Sequence, residues 1–124
     1  MITDNAASPT APRTESNTQR VLVLGLGNDI LCDDAIGLRV TREVRRQLRP
    51  DEAIDVEETE EMGLCLLDHM SGYGDLVLVD SIQRGTVPVG TVHEIHADDL
   101  RSLPCTAPHF LGVGETLALG RQLG

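Results

Sequence analysis

The feature that most limits what this chain can fold into is Val21-Leu22-Val23-Leu24, a run of large apolar residues leading into Gly25-Leu26-Gly27-Asn28. An unbroken run of Val and Leu closed by glycine has no polar face to show to water, so it fits a strand covered on both sides. Such a strand needs helices above and below its sheet. The next segment supplies one: Ile36, Val40, Val44 and Leu48 recur every four residues with arginines on the other face. That period predicts an amphipathic helix over about 35–48, stopped by Pro50.

The pattern then repeats. A second strand is predicted near 53–58, where Ile54 and Val56 alternate with acids, and a second helix near 62–70, with Gly63, Leu64, Leu67 and Met70 along one side. Leu76-Val77-Leu78-Val79-Asp80 is another apolar run and a third strand. Thr91 to Ile95 is predicted to run back along an edge, and a last helix to start near Gly112 and carry Val113 and Leu117 after a polar loop from Asp98 to Pro108. Strand, helix, strand, helix, strand implies an α/β fold in three layers: a mostly parallel twisted sheet, helices on both faces, one edge strand antiparallel. In such sheets the loops after the strands' carboxyl ends open on one edge, where ligands bind. Gly25 to Asp34, Glu58 to Met62 and Asp80 to Arg84 belong to that edge, and His109 joins them if the long loop returns there.

Composition narrows the class. A chain of 124 residues suits one domain, read here as 20–124. Residues 1–19 are rich in Ser, Thr, Pro, Ala and Asn and are expected to be a flexible extension, because they bury too little apolar surface to offset the entropy of ordering. The net charge of −10, with every basic residue an arginine, argues against nucleic acid and suits a basic partner or a cation. Cys32, Cys65 and Cys105 are scattered and odd in number, which is neither a disulfide framework nor a zinc motif. No signal segment opens the chain and no apolar run approaches membrane-spanning length, so the expected setting is the cytoplasm, away from membranes.

Three stretches can carry chemistry. The Gly25-Leu26-Gly27 turn between strand and helix suggests a dinucleotide loop, but position 30 is Ile where a third small residue is needed. Asp33 and Asp34 would also set two negative charges where phosphates belong. At a helix start these carboxylates can cap amides, and capping needs only one of them, so the pair also suits a cation. Glu58 closes a strand at the ligand-binding edge within an acidic run that is otherwise read as solvated. His109 sits in a loop before a helix, whereas His69 reads as a helix-surface residue and His93 and His96 lie by an edge strand. Carboxylates with one imidazole form a mixed oxygen and nitrogen set suited to a borderline divalent metal.

Together these stretches resemble the hydrogenase maturation endopeptidase family. The family's opening pattern, GxGNxxxxDxxxG with an acid after the motif Asp, stands here as Gly25-Leu26-Gly27-Asn28 through Asp33, Asp34 and Gly37. Glu58 and Gly63 match its second block, an acid followed five residues later by glycine, and Ala107-Pro108-His109 its third. The resemblance runs from about Val21 to Arg121, with Asp at 34 where many members have Glu and Glu at 58 where many have Asp. It implies a metal-binding and catalytic set of Asp34, Glu58 and His109. It also implies an endopeptidase that removes a C-terminal peptide from the nickel-loaded large-subunit precursor of a nickel-iron hydrogenase, nickel being recognised in the precursor or bound directly. Family members continue with a further strand and helix, so the C-terminal part of the domain is expected to be missing here. Two other readings remain open: a non-catalytic metal or maturation-factor binding module, and a nucleotide-binding α/β protein.

Overall fold

The structure is a computed structural model, and it describes residues 2–4, 20–30, 34–83, 85–102, 117 and 121–122. The elements in chain order are β1 (Ile2–Asp4), β2 (Val21–Leu26), α1 (Ile36–Gln47), β3 (Ile54–Thr59), α2 (Leu66–Met70), β4 (Asp75–Val79) and β5 (Ile95–His96). Short 3-10 turns cover Gly63–Cys65 and Ala97–Ser102, the latter within the stretch read from sequence as loop.

The strands lie in the order β3-β2-β4-β1-β5. β2 is parallel to both its neighbours, with Val23 opposite Val56 on β3 and Val77 on β4. The predicted α/β sheet is therefore present, built on three parallel strands. β1 runs antiparallel to β4 and parallel to β5, so β5 returns along the far edge in the sense predicted for it. β1 itself departs from the expectation of an extension over 1–19. Composition speaks only to buried apolar area, whereas three residues can join a sheet through backbone donors and acceptors that every sequence carries.

Side chains alternate across the sheet, and the two faces are filled differently. Leu22, Leu24 and Leu26 of β2 and Leu76 and Leu78 of β4 form one apolar cluster with Leu66 of α2, Ile95 and Leu117. Leu117 is helical, as predicted, while the start expected near Gly112 lies outside the described residues. On the other face the residue at 25 is glycine, and α1 presses against it. A Cβ on Gly25 would meet Thr41 and the Gly37 carbonyl, and one on Gly37 would meet the carbonyl oxygens of Leu26 and Val79. Helix and sheet therefore meet almost backbone to backbone.

That contact corrects the expected orientation of α1. Its buried residues are Gly37, Leu38 and Thr41, whereas Ile36 and Val40 are 47% and 38% exposed. A strict four-residue repeat advances about 400° in a helix of 3.6 residues per turn, so the stripe drifts about 40° with each repeat. Ile36 and Val40 consequently lie off the seam, and only Val44 and Leu48 drift toward it, where they are half-buried. Thr41 fills the tightest position, its hydroxyl able to donate to the Leu38 carbonyl at 2.8 Å or to that of Gly37 at 3.0 Å. Among the described residues no helix is long and apolar enough to cross a membrane.

Candidate functional site

From β2 the chain goes outward to β3, then returns across β2 to β4, so the strand order reverses at the β2/β4 pair. At such a reversal the loops leave toward opposite faces and a crevice opens at the carboxyl ends of the strands. Residues 27–30, Asp34 and the Asp80-Ser81 segment all lie there.

The first loop is held by hydrogen bonds to β3, to its own backbone and to the Asn28 side chain. Gly27 N donates to the Thr59 carbonyl at 3.2 Å, Asn28 N to the Asp34 carbonyl at 3.1 Å, and the Asn28 side chain accepts from Ile30 N at 2.9 Å. A Cβ on Gly27 would meet the Asp34 carbonyl and the Leu38 side chain. The glycines of the opening motif thus make room for α1 and for the loop's return.

Asp34 is not the N-cap residue of α1. The N-cap position is Ala35, without a side-chain cap, and α1 has no acid in its first turn. The half-buried Asp34 carboxylate instead lies 3.5 Å from the Ser81 hydroxyl across the strand reversal, while Asp80 Oδ1 accepts from Ser81 N at 2.7 Å and Asp80 Oδ2 is buried. Asp33, expected as a cap, lies outside the described residues.

Glu58 stands where predicted, in the last turn of pleat of β3, opposite Gly25. It therefore shares the face of the sheet on which α1 lies, and Arg42 of α1 meets it. Arg42 Nε and one terminal nitrogen donate to the two Glu58 oxygens at 2.9 Å each. The same guanidinium donates to Asp29 of the first loop at 2.7 and 3.1 Å. These contacts hold the Asp29 carboxyl below its ordinary range, the Arg42 hydrogen bond being the main cause, and hold the guanidinium well above its own. In the sequence Arg42 is one of several arginines on the polar face of α1. Only the packing of α1 against β3 selects it from its neighbours.

One residue away, Glu57 points to the opposite face and meets His69 of α2. The imidazole sits between Glu57, 2.8 Å from Nδ1, and Glu61, 3.1 Å from Nε2. Hydrogen bonding to Glu57, followed by that to Glu61, raises the His69 pKa above 6.5 against the opposing effect of burial. His69 is therefore no simple surface residue: it ties α2 to the loop after β3. Gly63 in that loop adopts φ +65°, a left-handed turn that favours glycine, which gives the second motif block its own backbone reason. At the amino end of the sheet Arg20 pairs with Asp55, holding that carboxyl low, and burial pushes the nearby Tyr73 up to about 12.

Of the predicted set, Asp34 and Glu58 lie at the same carboxyl edge but face different partners, Ser81 and Arg42, and His109 lies outside the described residues. Among the described residues no group of three or more His, Cys, Asp or Glu could hold a metal ion. The donor types of Asp34, Glu58 and His109 suit a borderline cation. In this conformation Glu58 does not: both its oxygens are engaged by a guanidinium.

Comparison with known proteins gives a consistent picture. The chain is 28% identical over 107 residues to a protein named hydrogenase 2 maturation protease from Escherichia coli K12, covering 85% of this chain and 65% of that protein. It is 29% identical over 99 residues to hydrogenase expression/formation protein HupD from Bradyrhizobium diazoefficiens, covering 80% and 47% of the two chains. The HupD protein of Thiocapsa roseopersicina is 29% identical over 107 residues, covering 84% and 48%. This chain thus spans between about half and about two thirds of the length of these relatives. No family model matches the chain. No solved structure matches it either.

Proposed function

From the similarity of this chain, over most of its length, to a hydrogenase maturation protease and to hydrogenase expression/formation proteins, we propose an endopeptidase that removes a C-terminal peptide from the nickel-loaded large-subunit precursor of a nickel-iron hydrogenase. The observation that carries this reading is the place of the shared motif. Gly25, Gly27 and Gly37 let α1 settle onto β2, and this brings Asp34 to Ser81 at the strand reversal with Glu58 on the neighbouring strand end. An acidic crevice of this kind suits a cationic feature of a protein substrate, and the nickel of the precursor is such a feature.

In this reading the nickel belongs to the substrate. Asp34, Glu58 and His109 face it when the precursor docks, and cleavage becomes conditional on loading because the carboxylates gain a cation only then. A borderline cation accepts both carboxylate oxygen and imidazole nitrogen. The chain's own part is to present Asp34 and Glu58 at the carboxyl edge of the sheet.

The test is an intact-mass measurement on the nickel-loaded and nickel-free precursor before and after incubation with this chain. Loss of a short C-terminal peptide from the loaded form alone is expected, with His109→Ala leaving the precursor whole. An uncut loaded precursor overturns the endopeptidase reading, and nickel-dependent binding without cleavage would favour a binding module instead.

A further inference from the structure

We propose that the three connections at the carboxyl edge of the sheet form a protein-docking surface, which takes a segment with basic side chains around an apolar centre. The proposal rests on the reading above for the identity of the partner, the large-subunit precursor.

Topology gathers these connections. β2, β3 and β4 are parallel, so the chain leaves all three at one edge. Ile2 of β1 lies opposite both Leu78 and Ile95, and β5 is antiparallel to β4, so the chain that leaves β4 enters β5 at that same edge. The connections are 27–35, 60–65 and 80–94. Among the described residues, five of the seven large apolar side chains left in water belong to them: Ile30 in the first, Met62 and Leu64 in the second, Val89 and Val92 in the third. Each is at least 53% exposed. A sixth, Ile36, opens α1 at the same end, where a Cβ on neighbouring Gly37 would meet the Leu26 and Val79 carbonyls. The connections at the opposite edge, 48–53 and 71–74, hold none.

Single apolar residues on a surface are ordinary; their gathering at one edge among carboxylates is the mark of an interaction surface. The third connection presents its pair on a hydrogen-bonded turn. Thr91 N and the Thr91 hydroxyl both donate to the Pro88 carbonyl, at 3.3 and 2.6 Å, and Gly90 between the two valines adopts φ +88°. Charge then selects the partner. In sequence the three connections carry seven acidic residues and one basic residue, Arg84. Such a surface repels nucleic acid and anionic lipid, and a second copy of this chain would bring a net charge of −10 of its own. A protein segment with lysine or arginine beside apolar residues answers both features.

The experiment is surface plasmon resonance between this chain and the nickel-loaded precursor. Val89→Ser with Val92→Ser should weaken the complex about tenfold, mainly through faster dissociation, and Met62→Ser about threefold. Glu60→Lys should weaken it about three- to tenfold through slower association, with the loss shrinking as salt is raised. Asp51→Lys makes the same charge change at the opposite edge and should move the affinity by less than about twofold. All these side chains are exposed, and unfolding curves check that the fold is kept. Unchanged affinity in the carboxyl-edge variants overturns the proposal, as does an equal loss in Asp51→Lys and Glu60→Lys. No binding by the parent chain overturns it together with the cleavage reading. The expected losses with an uncut precursor overturn the cleavage reading alone.

Discussion

Glu57 and Glu58 are the same residue type, adjacent in one strand, yet they live in different chemical settings. Period-two alternation sends Glu58 toward α1, where it meets Arg42, and Glu57 toward α2, where it meets His69. Each partner bridges two carboxylates: Arg42 joins Glu58 to Asp29, and His69 joins Glu57 to Glu61. The arginine is charged at every accessible pH, so its clasp does not depend on the arginine losing a proton. The histidine is charged only below its own pKa, so its clasp yields to a proton's departure. Two faces of one strand end therefore respond to different variables, and the end of β3 is the segment that both partners hold.

The strongest way to break this contrast is to lift α1 from the sheet. Gly37→Ala should destabilise the fold by about 2 kcal/mol: overpacking costs up to about 3 kcal/mol and only about 1 kcal/mol returns as helix propensity. The obstructing atoms are the backbone oxygens of Leu26 and Val79, which cannot swing aside as a side chain would. Denaturant unfolding measures it, and an unchanged midpoint would mean that α1 does not lie so close.

A smaller effect sharpens the other face. The His69 pKa is raised in the folded state, so its contribution is full below the ordinary 6.5 and fades as pH climbs through the raised value. His69→Gln should therefore cost up to about 1 kcal/mol at pH near 5.5 and close to nothing at pH near 8.5. Unfolding curves at the two pH values check it, and a cost independent of pH would assign His69 a packing role only. The smallest effect is expected of Asp29→Asn. Arg42 keeps its fork on Glu58, so the melting temperature should move by less than about 2 °C. A larger fall would make Asp29, and not Glu58, the principal anchor of Arg42.

Much of this architecture is legible along the chain. The two apolar runs became β2 and β4 within a residue or two of their predicted ends, and the parallel order followed from the helices between them. Glu58 was found at its strand end because a strand is read from a local pattern. The buried face of α1 is not legible in its apolar pattern, because Ile36 and Val40 stay exposed while the seam is made of Gly37, Leu38 and Thr41. The strand Ile2–Asp4 was missed because hydrogen bonding by the backbone leaves no mark in composition. His69 and Arg42 were passed over as surface residues, since nothing local distinguishes a charged side chain in water from one aimed at a carboxylate on another element.

What the sequence determined by itself is the class of fold and the edge of the sheet where a site belongs, because periodicity and glycine spacing act within a few residues of one another. The tertiary structure alone decided which side chains meet there. Arg42 reaches Glu58 across 16 positions and Asp34 reaches Ser81 across 47. Contacts of that kind depend on how closely a helix settles onto a sheet, and here that closeness comes from Gly25, Gly27, Gly37 and the buried Thr41.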